Sequence, residues 1–374
     1  MSNEVISLSH GSGGKATNKL INNLFYKYFD NDILNQKNDS AVLPAINNKI
    51  AISTDSFVIK PIFFNGGDIG KLSICGTVND ISMSGATPIY ISVGFIIEEG
   101  FEISELEKIV KSMADTAKEA GVKIVTGDTK VVERGSCDKI YINTTGIGII
   151  SDEKHYYSGN MVKDGDIILL SGTIGEHGMC IINQRDDFGF DVKIKSDCCL
   201  LNKLIKDILS VSDKVKVLRD PTRGGVATTL NEIIEHSNIS MEIRENCIPV
   251  KKEVAAMCDI LGFDPLYVAN EGKLLVIVDK EDAEAVLNIM KKNKVGKDSV
   301  ILGQAIQDGK NKLYLKIISQ NKTTIQSLKN YLKNSETKSM IASFPKYLYS
   351  MSNFITSSNA LENFYQLATS MDND

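Results

Sequence analysis

Two α+β domains with mixed sheets are what this sequence predicts, and three observations carry the prediction. At 374 residues the chain exceeds the size at which one hydrophobic core usually stops growing. Helical and strand patterns alternate along the first half instead of segregating. A polar, turn-rich stretch, Ser151–Asp166, then separates that half from a second one that repeats the mixture. The expected boundaries are 1–153 for the first domain, 165–318 for the second, and 319–374 for a tail of different texture.

In the first half, Leu20, Ile21, Leu24, Phe25 and Tyr28 share one face of a helix that begins near Lys15. Ile50–Ser53 reads as a strand ending at Thr54-Asp55. Asp68–Gly85 spaces Ile69, Leu72, Val78 and Ile81 helically, and Pro88 enforces a break. Tyr90–Ile97 is rich in strand formers. Ser104 with Glu107 forms a capping box ahead of Leu106, Ile109, Val110 and Met113, which predicts another helix. Val122–Thr126 and Tyr141–Ile150 read as strands.

Beyond the junction, Ile167–Ser171 predicts a strand and Thr222–His236 a helix entered through glycines. Pro249–Leu261 and Asp282–Lys292 read as helices. Lys273–Val278, Val300–Leu302 and Lys312–Ile318 read as strands. From about Gln320, Asn, Lys, Ser and Thr dominate; Leu328, Leu332, Phe344 and Phe364 still offer helical docking faces, so the tail is expected as a helical appendage or a disordered one.

Composition narrows the function. Hydrophobic residues are 43% and charged residues 24%, an ordinary globular balance. The formal net charge of -5 gives no electrostatic footprint for nucleic acid. Apolar runs are too short to span a bilayer. Glu4 and glycines stand where a signal peptide would carry a basic and then an apolar region, so a cytoplasmic protein is expected. The seven cysteines include no C-x-x-C pair, which leaves no legible zinc ribbon or disulfide framework. Cys75, Cys180 and Cys258 sit among apolar residues as small buried hydrophobes. Cys198-Cys199 is an unusual adjacent pair, but adjacency alone does not make a thiol reactive, and nothing in the sequence brings it to a site.

Chemistry gathers in short motifs: His10-Gly-Ser-Gly-Gly-Lys15, Asp39-Ser-Ala-Val, Thr54-Asp-Ser56, Val78-Asn-Asp80, Thr126-Gly-Asp128 and Asp220-Pro-Thr-Arg-Gly-Gly225. Magnesium takes oxygen ligands and shares them with substrate phosphates. Asp39, Asp55, Asp80, Asp128 and Asp220 all read as loop or strand-end positions, where such ligands are needed. Taken singly, each is more often a cap or turn residue. The glycines before Lys15 suit close approach to phosphate, yet their spacing departs from a P-loop. Arg223-Gly-Gly225 suits phosphate contact or a simple helix entry.

The run from Leu8 to about Leu302 resembles the HypE family of ATP-dependent hydrogenase maturation factors, within the PurM-like (AIR synthase-related) superfamily. The densest matches are Thr54-Asp-Ser-Phe-Val-Ile59, Cys75-Gly-Thr-Val-Asn-Asp-Ile-Ser-Met-Ser-Gly-Ala86, Asp220-Pro-Thr-Arg-Gly-Gly-Val-Ala227 and Asp264-Pro-Leu-Tyr-Val-Ala-Asn-Glu-Gly-Lys273. The resemblance implies two α+β domains, with N-terminal domains pairing in a homodimer that builds the ATP sites. It implies Asp39, Asp80 and Asp220 as magnesium ligands and Lys15, Asp55 and Asp128 near the triphosphate. Lys15 is also expected to act on the transferred phosphoryl group, and Glu271, in Asn270-Glu-Gly272, as a proton acceptor. The alternative for Glu271 is a loop anchor.

The implied reaction is ATP-dependent dehydration of a cysteine S-carboxamide to a thiocyanate, using Mg2+. A HypF-like carbamoyltransferase and a HypC–HypD-like complex are the implied partners. Members of the family work on a cysteine in a Pro-Arg-Ile-Cys-like ending, whereas here no cysteine follows Cys258. Three readings therefore stay open: an ATP-binding pair of domains acting as a scaffold, an enzyme using a thiol supplied in trans, or a PurM-like enzyme with another amide or carbonyl substrate.

Overall fold

The computed structural model describes residues 4–38, 40–151, 157–185 and 192–317, together with the backbone of 354–356. Asp39 and most of the expected tail lie outside the described residues. The chain opens with α1 (Lys15–Leu20), which continues through a π-turn segment (Ile21–Phe25) into α2 (Tyr26–Tyr28). This rod buries Leu20, Leu24 and Phe25, and Phe25 stacks on Phe95 at 4.9 Å between ring centroids. Then follow β1 (Lys49–Phe57), the small hairpin β2 (Phe63–Phe64) and β3 (Gly67–Asp68), α3 (Ile69–Met83), β4 (Thr87–Glu98), α4 (Ile103–Ala120), β5 (Lys123–Val132) and β6 (Ile140–Ile150).

The first large sheet has the order β1-β6-β4-β5, antiparallel except for the β4–β5 pair. A parallel pair needs a crossover, and α4 supplies it. Asp68 caps α3, accepting from Gly70 N at 2.7 Å and Lys71 N at 3.0 Å. Helix α4 ends at Gly121, whose φ of 82° is the left-handed cap that glycine favours.

The second half contains β7 (Ile167–Leu170), α5 (Glu176–Arg185), α6 (Asn202–Leu209), β8 (Val215–Arg219), α7 (Gly225–Ser237), β9 (Ser240–Arg244), α8 (Lys252–Leu261), β10 (Leu275–Val278), α9 (Ala283–Lys292), β11 (Val300–Ile306), β12 (Leu313–Lys316) and β13 (Phe354–Thr356). Its sheet runs β13-β12-β9-β11-β7-β10-β8. Strand β10 is apolar at every position because it is covered on both faces. Leu275 and Ile277 enter the core beneath α7, while Val276 and Val278 enter the one beneath α6 and α9. Each such side chain contributes roughly 1.5–3 kcal/mol of burial.

The N-terminal core does not stop at its own domain. Ile74, Cys75 and Val78 of α3 belong to the same apolar cluster as Met179, Cys180, Cys198 and Val268. Helix α3 is thus wedged between the first sheet and the second half, which explains why it is buried nearly all round. Among the described residues no helix is long and apolar enough to cross a membrane.

Several expectations need correction. Ser104 is not a helix cap: α4 starts at Ile103 after Glu102, and Ser104 Oγ donates to Glu102 Oε2 at 3.3 Å. Asp55 lies within β1, Asp80 within α3 and Asp128 within β5, so only Asp220 directly follows a strand. The reason is that β1, α3 and β5 continue past their polar residues through ladder or helix hydrogen bonds, which side-chain pattern alone does not report. Helices α5 and α6 and strands β8 and β9 went unpredicted. Cys75, Cys180 and Cys258 are buried as expected, but Cys198 is buried too and Cys199 is only half-exposed.

Candidate active site

A cleft of about 640 Å³ opens between the two halves. Asp55, Asp80, Asp220 and Glu271 all line it, with Thr54, His177, Arg223, Phe263 and Tyr267 among their neighbours. Four elements deliver the carboxylates: β1, α3, the turn after β8, and the loop before β10. Residues distant in sequence by more than two hundred positions therefore share one solvent volume.

Asp80 is steadied by Ser53, whose Oγ donates to its Oδ2 at 2.9 Å. Burial raises the Asp80 carboxyl, and the nearby Asp55 charge adds to the rise. Asp220 goes further: burial, then the charges of Asp80 and Asp55, push it up to about 7. Burial and the charges of Asp197, Asp220 and Asp55 raise Glu271 well above the carboxylate range. Such crowding of like charge in a cleft is unfavourable by itself and marks a functional site.

The crowding also tests the fit for magnesium. Asp55, Asp80 and Asp220 offer hard oxygen donors whose mutual repulsion a cation would relieve. Among the described residues no group of three or more metal-ligating side chains is already assembled. An ion held there would complete its shell with water and phosphate oxygens, the way magnesium binds.

The loops are locked by buried amides. Asn270 Nδ2 donates to Pro221 O at 2.9 Å and to Val268 O at 3.1 Å, while its Oδ1 accepts from Gly175 N at 2.8 Å. The Asp220 and Glu271 loops are thereby tied together. Gly225 enters α7 at a φ of 64°, and a Cβ there would come within 2.5 Å of Leu266 O. Glycine is required at that crossing.

Burial lowers the pKa of His177, whose Nδ1 is 2.9 Å from Ser196 Oγ. Burial raises Cys199 to about 12, and Cys198 is raised well above the thiol range by Cys75 and burial. Cys199 Sγ lies 3.6 Å from Gly272 O, so these thiols do reach the site's edge, as inert packing.

Lys15 and Asp128 are elsewhere. Both are exposed, and Asp128 pairs with Lys130 at 3.2 Å. Register runs Asp55–Thr144–Val93–Gly127 across the sheet, so Asp128 sits beside the strand edge opposite Asp55. Three strand spacings amount to about 14 Å. A second cavity of about 310 Å³, lined by Thr17, Tyr26, Phe29, Asn38 and Thr126, opens next to Asp128. Sequence reasoning missed His177 and Asp197 because no motif of chemistry surrounds them, and it quoted Asn79 within Val78-Asn-Asp80 without giving it a role.

The fold and cleft define an AIR synthase-related protein. The model for the AIR synthase related protein N-terminal domain matches residues 37–150, and the model for the C-terminal domain matches 163–316. More narrowly, the chain belongs to the HypE family. It is 49% identical to the carbamoyl dehydratase HypE of Cupriavidus necator over 307 residues, which is 82% of this chain and 87% of that protein. The crystal structure of hydrogenase maturation protein HypE in complex with ATP superposes with a TM-score of 0.80 at 47% identity, covering 83% of this chain and 94% of that one. The HypE–HypF complex gives a TM-score of 0.71 at 49% identity, covering 81% and 97%.

Proposed function

We propose that this chain catalyses the ATP-dependent dehydration of a cysteine S-carboxamide to a thiocyanate, the step that makes cyanide ligands in hydrogenase maturation. The observation that carries the reading is the meeting of Asp55, Asp80 and Asp220 with Glu271 in one cleft. A nucleotide-handling acidic set thus faces a carboxylate suited to proton transfer. Membership in the HypE family and likeness to an ATP-bound HypE support the same reading.

The chemistry follows from the leaving group. A carboxamide oxygen departs poorly, so ATP phosphorylates it, forming the O–P bond and releasing ADP. Both nitrogen protons then leave, one to Glu271 and one with the phosphate, as the C–O bond breaks and phosphate departs with the oxygen. The net change is carboxamide plus ATP to thiocyanate, ADP, phosphate and one proton. A proton acceptor well above the ordinary carboxylate range is a stronger base once ionised, which suits this step. Asp80 and Asp220 would hold magnesium, together with Asp39, which lies outside the described residues. When bound, the ion neutralises charge on the transferred phosphoryl group.

Lys15 and Asp128 fit the site through pairing of two copies. The outer face of the first sheet carries Ile50, Ile52 and Ile96 exposed, Ile52 at 67%. A second copy covering that face would bury the isoleucines and carry its own β5 edge, with Lys15 and Asp128, toward the cleft of the first. None of the seven unpaired thiols lines the cleft, so the carbamoylated thiol is one delivered to it. A HypF-like carbamoyltransferase loads it, and a HypC–HypD-like complex takes the cyanide, in the reducing cytoplasm.

The test is mass spectrometry of the chain incubated with ATP, magnesium and an S-carbamoylated cysteine peptide. Loss of the mass of water from the peptide, matched by ADP release, is expected. ADP release without that loss would point to another amide substrate, and neither would leave a scaffold.

A further inference from the structure

The reaction as derived uses nothing from residues 192–201, ahead of α6, yet this segment is tied closely to the first half. Asn65 of the first half grips it twice: Nδ2 donates to Ile194 O at 2.8 Å, and Asn65 O accepts from Ser196 N at 2.8 Å. Asn79 of α3 grips it twice more. Its Nδ2 donates to Cys199 O at 3.0 Å, and its Oδ1 accepts from Leu201 N at 2.8 Å.

Between these two grips stands Asp197, whose side chain is 1% exposed. Its carboxylate turns toward the second half and accepts from Glu271 N at 3.2 Å and Gly272 N at 3.1 Å. Lys273 Nζ lies 3.5 Å from it. Three consecutive residues of one loop therefore converge on a single carboxylate. Lys273 also meets Glu176 at 3.5 Å, and Glu176 in turn meets Lys251 at 2.9 Å and accepts from Thr173 Oγ1 at 2.7 Å.

Burying this row of charges is costly and is often matched or bettered by apolar packing. What these charges hold in place is visible in the neighbouring loop. Glu271 lines the cleft with Asp220 and Asp55, and a loop left free to move would let its side chain swing out of that cleft. Backbone N–H groups fixed to a buried carboxylate oppose that swing. Gly272 allows the close approach, since a Cβ there would collide with Asp197 O.

We propose that Asp197 is a positioning residue: anchored to the first half through Asn65 and Asn79, it holds the Glu271–Gly272 backbone so that the Glu271 side chain stays in the cleft. The role rests on Glu271 being the proton acceptor. It also couples the two halves, since Asn79 is the neighbour of Asp80.

The experiment compares the whole chain with its Asp197→Asn, Gly272→Ala and Glu271→Gln variants. Amide hydrogen exchange is read at residues 270–273. Turnover is read with ATP, magnesium and an S-carbamoylated cysteine peptide. Asp197→Asn is expected to speed exchange at Glu271 and Gly272 by about tenfold or more. It should lower kcat while KM for ATP stays within about twofold. Gly272→Ala pushes the same loop off Asp197 without changing any charge, and should reproduce both effects even if Asp197→Asn folds poorly.

Unchanged exchange in both variants, or faster exchange with kcat intact, overturns the positioning role. Full turnover by Glu271→Gln overturns the acceptor reading itself, whatever Asp197→Asn does. Loss in Glu271→Gln with full turnover in Asp197→Asn and Gly272→Ala overturns the positioning role alone.

Discussion

Asn79 and Asp80 are consecutive on α3 and serve different faces of it. The Asn79 amide, 2% exposed, binds the interdomain segment at Cys199 O and Leu201 N, whereas the Asp80 carboxylate enters the cleft and accepts from Ser53 Oγ. Successive residues on a helix point about 100° apart, so one turn of α3 both fastens the halves together and arms the site.

Replacing Asp80 with Asn removes charge with little change of shape. Magnesium–ATP affinity is expected to weaken on the order of tenfold or more, while the thermal transition is kept. Titration calorimetry with and without magnesium reads this directly. Unchanged affinity would remove Asp80 from the ligand set.

Asn79→Ala strips both partners from buried backbone groups. A loss of about 2–3 kcal/mol in unfolding free energy is expected, because an unsatisfied buried group keeps its full desolvation penalty. Urea denaturation measures it. A loss below about 0.5 kcal/mol would mean that the segment is held without the amide.

His177 gives the fold a signed pH dependence. Burial lowers its pKa below the ordinary 6.5, with the Asp197 charge acting the other way. The unfolded chain therefore takes up a proton as pH falls through 6.5, before the folded one does. Stability contributed by neutral His177 is present above that pH and is lost on going below it. The drop in unfolding free energy between pH 7.5 and 5.5 should shrink in His177→Gln; an equal drop in both proteins would contradict the assignment.

Ile52 stands on the open sheet face at 67% exposure. Sedimentation of the native chain is expected to give a dimer, and Ile52→Lys a monomer with weakened nucleotide binding, because a charge cannot be buried there unpaired. A native chain that sediments as a monomer would rule out a second copy as the source of Lys15 and Asp128.

Legibility followed local pattern. Helix α4 was readable from Leu106, Ile109, Val110 and Met113 on one face, although its start came one residue ahead of the Ser104 cap that the sequence suggested. Strand β10 was readable as an apolar run, but not the reason for it, which is a core on each side. Strand β8 and helix α6 were missed because short segments of mixed pattern carry too few residues to show a period. At the site, Asp55, Asp80 and Asp220 stood in motifs quoted from the sequence, and Glu271 was named from the family resemblance. Asp197 was not, because its meaning comes from Glu271 N, Gly272 N and Lys273 Nζ, seventy-odd residues away.

By itself the sequence determined the mixed helix and strand content of both halves and the HypE-type motifs that mark the family. Those depend on side-chain period and residue type, which are local properties. Only the tertiary structure decided that Asp55, Asp80, Asp220 and Glu271 share a cleft while Lys15 and Asp128 stand across the sheet from it. It also decided that Cys198 is buried and that Asp197 accepts from Glu271 N and Gly272 N. The reason is physical: strand order, register and the burial of charge are set by contacts between distant segments, and no local pattern encodes which distant segment will arrive.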